Sequence, residues 1–358
     1  MKKGISLKLS LGLAVAGAMA LTLTASRAHA DLAGTITFTE PAETLVMPFD
    51  LANGHGSFQI VSRIGGGDPI IATHWSYWSK DCRHLADVFI CLTPRDSVVV
   101  DPTALQGQIQ DGQTNTNTGP VINLTGEKGF VTVTAFDADV NSQTCEPEDP
   151  ESVSGTPSLI GSWVVSNLTT NATFGNNAIG ITDGQTLPAG GDFFLTGPVS
   201  GGLFINTYSP EDLTDSEVFF IGVAFPAGNA GFAESEIGPI PAALTNGSAV
   251  CCNAQFYDNV ESFVSLPDVC LNCSSTAKVA DNDGLAGIDL PVIIPASTPA
   301  DTSGIVRLTN CQVGSDEGNL PIGDTTINGV DVTTFLFGFH GMAVGPFGTS
   351  AMGRYTAE

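Results

Sequence analysis

HWSYWSKDCRHLADVFICLTPRDSVVVDPT, from His74 to Thr103, is the stretch whose reading decides the fold. It gathers Trp75, Tyr77 and Trp78, sets Cys82 and Cys91 nine apart, and closes on three valines ahead of Asp101. Strand alternation places Trp75 and Tyr77 on one face and His74, Ser76 and Trp78 on the other, so both faces carry large rings. Such a segment, followed by a cysteine, reads as sheet core. The competing reading is an aromatic platform of Trp75, Tyr77 and Trp78 on which sugar rings stack. Val98–Val100 reads as a short strand. Asp101-Pro102 reads as a cap with proline at the first helical position, opening one turn before Gly107.

On either side the text continues in strands and turns. Residues 35–64 read as TITFT, ETLVMPFDL, a Gly54-His55-Gly56 turn and SFQIVSRI, where Phe58, Ile60 and Ser62 share one face and Gln59, Val61 and Arg63 the other. Gly65 to Pro69 is a turn, and DGQTNTNTGP (111–120) a polar loop. GFVTVTAF (129–136) alternates as a strand, and SWVVS (162–166) resumes the sheet after a long acidic excursion. Short strands at most are expected over 167–202, and a capped helical turn at Ser209. Later strands are expected at 218–225, 250–257, 261–266, 304–309 and 333–340, with Phe335, Phe337 and Phe339 on one face. Many short strands at irregular spacing predict an all-β chain. The expected form is an antiparallel β-sandwich, immunoglobulin-like or jelly-roll-like, in two packed β units, 31–182 and 183–358.

Residues 1–30 carry Lys2, Lys3 and Lys8, an apolar run from Leu9 to Leu23, and Ala28-His29-Ala30, which together read as a secretory signal peptide. The run is short for a membrane span of roughly 20 residues. The expected protein is therefore exported, to the periplasm, cell surface or medium. The formal net charge of −25 disfavours nucleic acid as a partner and favours cations.

Eight cysteines in an exported chain point to disulfides: Cys82, Cys91, Cys145, Cys251, Cys252, Cys270, Cys273 and Cys311. Cys82 and Cys91 flank a short segment that a hairpin or tight loop closes, so they are expected to pair. Cys251 and Cys252 are adjacent, and each is expected to pair with one of Cys270, Cys273, Cys145 or Cys311. Zinc or redox chemistry at the Cys270-x-x-Cys273 group is the other reading.

HWSYWSKDC (74–82), CLTPRD (91–96), SVVVDPT (97–103), GFVTVT (129–134) and GSWVV (161–165) carry a resemblance. About a third of the chain is similar to a set of uncharacterised exported proteins of Gram-negative bacteria that share a Cys…CLTPxD…VxDPT block. The resemblance implies the same β fold and no particular activity.

Two acidic segments have calcium-ligand spacing. Asp137, Asp139 and Asn141 place oxygens at alternate positions, with Glu148 eleven residues after the first. Asp281, Asp283 and Asp289 surround a D-x-D-G turn. Each has a plainer reading, as a solvated acidic loop and an Asp-Gly turn. Histidines 55, 74, 84 and 340 look too scattered for a ligand set. The sequence has no nucleophile elbow, zincin, Walker or dinucleotide motif. The expected role is a non-catalytic structural or cell-surface interaction protein. The alternatives are a carbohydrate-binding module and a calcium-dependent extracellular hydrolase, and the partners expected are surface proteins or glycans.

Overall fold

The computed structural model describes residues 35–37, 41–65, 69–80, 83–111, 114–138, 145, 156–168 and 172–182, and in the C-terminal half the strands named below with residues 266 and 268. Among these residues every element is a strand, and none is a helix long and apolar enough to cross a membrane.

The N-terminal half holds twelve strands: β1 (Thr35–Thr37), β2 (Thr44–Asp50), β3 (His55–Arg63), β4 (Ile71–Ser79), β5 (His84–Leu92), β6 (Ser97–Val100), β7 (Leu105–Asp111), β8 (Thr114–Ile122), β9 (Lys128–Asp137), β10 (Leu159–Asn167), β11 (Ala172–Asn177) and β12 (Ile179–Thr182). One sheet runs β1-β12-β2-β9-β4-β5 and a second runs β11-β10-β3-β6, with β7 and β8 as a separate hairpin. Their inward faces make one core. Leu45, Met47, Phe49, Trp75, Tyr77, Val88, Ile90, Val131 and Val133 from the first sheet meet Val61, Val100, Leu159, Trp163 and Val165 from the second. Each large apolar side chain so buried contributes roughly 1.5–3 kcal/mol. This is the antiparallel sandwich that the alternation of β4 and β9 predicts.

The sheets differ in what lies beyond the core. Every residue of β2 is buried, as are Gly129 to Phe136 in β9, so the middle of the first sheet is covered on both faces. The second sheet is covered on one face only, and β3 alternates strictly between buried and part-exposed positions along its length.

Close approach explains two glycines. A Cβ at Gly129 would overlap the carbonyl oxygen of Trp78 on β4, and one at Gly175 that of Trp163 on β10. Two turns use left-handed backbone. Asn53 (φ 51°) and Gly54 (φ 81°) lie between Ala52 and His55, joined by a 2.9 Å bond, in a type I′ arrangement. The predicted Gly54-His55-Gly56 turn is thus displaced, since His55 and Gly56 already belong to β3. Thr93-Pro94-Arg95-Asp96 forms a type II turn, with Arg95 at φ 69° where glycine is usual.

The segments CLTPRD and VVVDPT each have a local structural role. The Pro94-Arg95 turn carries the chain from the first sheet to the second, and the buried Arg63 guanidinium donates to the Leu92 carbonyl at 3.0 Å beside it. Asp101 Oδ1 accepts from the Thr103 amide at 2.8 Å and from its hydroxyl at 2.7 Å. In place of the helical turn expected there, the Ala104 amide donates to the Asp101 carbonyl at 2.9 Å in a non-helical turn that leads into strand β7.

Three expectations are corrected. His84–Leu92, read as a linker between cysteines, is a nine-residue strand. It holds residues 84 and 91 about 23 Å apart at a rise of ~3.3 Å per residue, whereas a disulfide needs Cα atoms within about 7 Å. Cys91 accordingly does not bond Cys82; it bonds Cys145, with Cα atoms 5.0 Å apart. The polar loop at 111–120 is largely strand β8, paired with β7 and tied to β5 by the Asn115 amide on the Cys91 carbonyl at 2.9 Å.

The C-terminal half contributes β13 (Leu203–Thr207), β14 (Asp215–Pro226), β15 (Val250–Asp258), β16 (Phe263–Ser265), β17 (Val269–Leu271), β18 (Ser274–Ala280), β19 (Val292–Ile294), β20 (Gly304–Ser315), β21 (Gly318–Pro321), β22 (Gly323–Ile327), β23 (Val330–Ala343) and β24 (Met352–Tyr355). One sheet is β13-β20-β15-β16, with β17 on β15 and β21 on β20. The other is β19-β18-β14-β23-β22, with β24 on β23. No described pairing crosses between residues 35–182 and 203–355. Cys252 is disulfide-bonded. In backbone register Cys251 stands opposite Cys270, and Cys252 and Cys311 fall within one irregular step between β15 and β20. The turn expected at Ser209 lies outside the described residues.

Candidate functional site

The ring platform is not assembled. Trp75 and Tyr77 are fully buried between the sheets, and Trp78, half-buried, belongs to the opposite face. Trp75 donates its indole hydrogen to Thr73 at 2.9 Å. Tyr77 donates to Gln59 at 3.2 Å, which in turn donates to Ser57 at 3.1 Å, a polar seam joining the two sheets. Burial, reinforced by the charge of Asp101, holds the Tyr77 hydroxyl well above its ordinary range. Rings closed in a core offer no face to a sugar.

Of the calcium candidates, Asp137 is exposed at the end of β9; Asp139, Asn141, Asp281, Asp283 and Asp289 lie outside the described residues. Among the described residues no three His, Cys, Asp or Glu side chains converge as a metal site.

Two histidines do meet. Nε2 of His74 stands 3.2 Å, and Nε2 of His84 2.8 Å, from the same Oδ1 of Asp87. His84 and Asp87 are three apart in one strand, a spacing that regular alternation puts on opposite faces. The register step at Tyr77/Trp78 inserts Leu85 as a bulge and turns His84 to the face of Asp87. His74 stacks on Phe89 at 4.6 Å, and His84 meets the Trp78 edge at 4.8 Å. Burial alone would raise the Asp87 carboxyl. Hydrogen bonds and charge from both imidazoles outweigh it and hold the group at about 2. Both Nε2 atoms are engaged by one carboxylate, so the set fixes two rings on one face of the β4–β5 hairpin. Its residues were visible in sequence as scattered histidines; the bulge that joins them was not.

At another corner His55 lies 3.8 Å from Asp50, both buried. Burial raises the Asp50 carboxyl despite the pull of His55 and Lys128.

The feature that faces outward is the second sheet. Its open face carries Gly56, Phe58, Ile60 and Ser62 from β3, Ser97 and Val99 from β6, Ile160, Ser162, Val164 and Ser166 from β10, and Thr173, Gly175 and Asn177 from β11. All are half-buried or exposed, and none is charged. Phe58 is 42% and Val99 63% exposed. The hydroxyls pair among themselves, Ser62 with Ser97 and Ser166 with Thr173. Strand β3 is inverted relative to an ordinary amphipathic strand. Ser57, Gln59 and Arg63 point into the core, where they find partners, and Phe58 and Ile60 point out. Against known family models, curated proteins and solved structures, the chain matches none.

Proposed function

We propose that this is an exported, non-catalytic structural or cell-surface interaction protein that docks through the open face of β11-β10-β3-β6. One observation carries the reading: a whole sheet face free of charge in a chain of net charge −25. Solvent-facing strands keep charges partly to prevent unwanted association, and contiguous exposed apolar side chains mark contact sites. The paired hydroxyls lower the cost of drying the face on contact. The expected effect of the double substitution Phe58→Glu with Val99→Asp is release of the protein from the surface of producing cells into the medium, with its melting temperature unchanged. Equal retention of parent and variant overturns the reading.

A further inference from the structure

We infer that β15 is bonded covalently to both of its neighbours, by one disulfide between Cys251 and Cys270 and a second between Cys252 and Cys311, on opposite faces of its sheet. Register sets the placement. β17 and β20 pair with β15 from its two sides, and both do so at the Cys251-Cys252 step. Consecutive residues of a strand belong to opposite faces. Cys252, 1% exposed, is on the buried face, so Cys251 is on the other.

On the β17 side Cys270 stands directly opposite Cys251. Residues so opposed share a face, with Cα atoms about 4.5–5.5 Å apart, inside the roughly 4.4–6.8 Å that a disulfide spans. The residue opposite Cys252 is Val269, and the offset of one puts Cys270 on the wrong face for Cys252. On the β20 side Cys251 is opposite Gln312 and Asn253 is opposite Thr309, so Asn310 and Cys311 together oppose the single residue Cys252. A bulge of this kind sets two residues of one strand against one of its partner. Cys311 is therefore the cysteine that the register sets against Cys252, which is itself disulfide-bonded. A bond between Cys251 and Cys252 is disfavoured, since adjacent Cα atoms lie only about 3.8 Å apart.

The assignment bears on chemistry. The Cys270-x-x-Cys273 spacing, one reading of which was a zinc or redox group, is divided: Cys270 is committed to β15 and is not available to join Cys273 as a dithiol or a thiolate ligand set. Each bond forms as two thiols pass two electrons and two protons to a disulfide-bearing oxidant, which is reduced to two thiols.

Peptic digestion of the full unreduced chain at acid pH, where thiolates are scarce and exchange is slow, followed by electron-transfer fragmentation of the linked peptides, tests this. The expected fragments tie Cys251 to Cys270 and Cys252 to Cys311. The crossed arrangement, Cys251 with Cys311 and Cys252 with Cys270, overturns the inference. So does a link of Cys270 to Cys273, or free thiols holding zinc in native mass spectrometry. Single substitutions give a second readout by maleimide labelling. Cys251→Ala adds one label per chain, at Cys270, and Cys252→Ala adds one, at Cys311; a new label at Cys273 in either variant overturns the pairing. Where a variant fails to fold, the map of the parent chain decides.

Discussion

Asp87 shows how one side chain ties sequence to stability. Its carboxyl titrates at about 2 because two imidazoles hold it, against an ordinary value of 3.8. A depressed carboxylate contributes stability that is fully present above its ordinary value and is lost as pH falls toward the folded one. Denaturation of the parent and Asp87→Asn should therefore show a gap from pH 4 upward that closes as pH approaches 2. A gap of constant size across that window would contradict the arrangement. None of this was legible from residue spacing, since three-residue separation in a strand argues against contact. Trp75 and Tyr77 were legible as core, because rings on both faces of one strand leave it no solvent side. Their polar atoms find Thr73, which alternation already places on their face, and Gln59, an inward residue whose polarity alone would have assigned it to solvent.

At the scale of elements, β4, β9 and β10 could be read because apolar residues recur with period two and their neighbours across the sheet obey the same period. β5 was hidden by the spacing of Cys82 and Cys91, which invited a short closed segment, and β8 by Thr, Asn and Gly, whose polarity mimics a turn. What makes β8 a strand is tertiary: pairing with β7 and the Asn115 amide on β5. The Cys91–Cys145 bond closes 54 residues of chain between β5 and the segment ahead of β10. On the loop-entropy model that restriction is worth about 4 kcal/mol. Cys145→Ser should lower the unfolding free energy by that order, and a loss below ~1 kcal/mol in urea titration would show that the loop is already ordered without the bond.

For the molecule as a whole, composition and turn residues announced an all-β chain, and the described strands carry that through both halves. The open face of the second sheet was written in the text as SFQIVSRI and SVVV, yet which side of β3 faces water depends on Gln59 and Arg63 finding partners inside, and no local pattern encodes that. The 91–145 bond also has a consequence for assembly. A chain delivered N-terminus first into an oxidising space presents Cys82 and Cys91 while Cys145 is still to come, and a nine-residue loop closes readily. If that short loop closes first, the native link forms when the Cys145 thiolate attacks the Cys91 sulfur and releases the Cys82 thiolate, over seconds to hours unless catalysed. Trapping thiols during oxidative refolding should capture an early 82–91 species that decays as 91–145 grows; direct formation of 91–145 without it would mean that the β4–β5 hairpin forms before any sulfur reacts. In the first case maturation of this sandwich is a matter of proofreading, in which strand geometry rejects the bond that proximity favours.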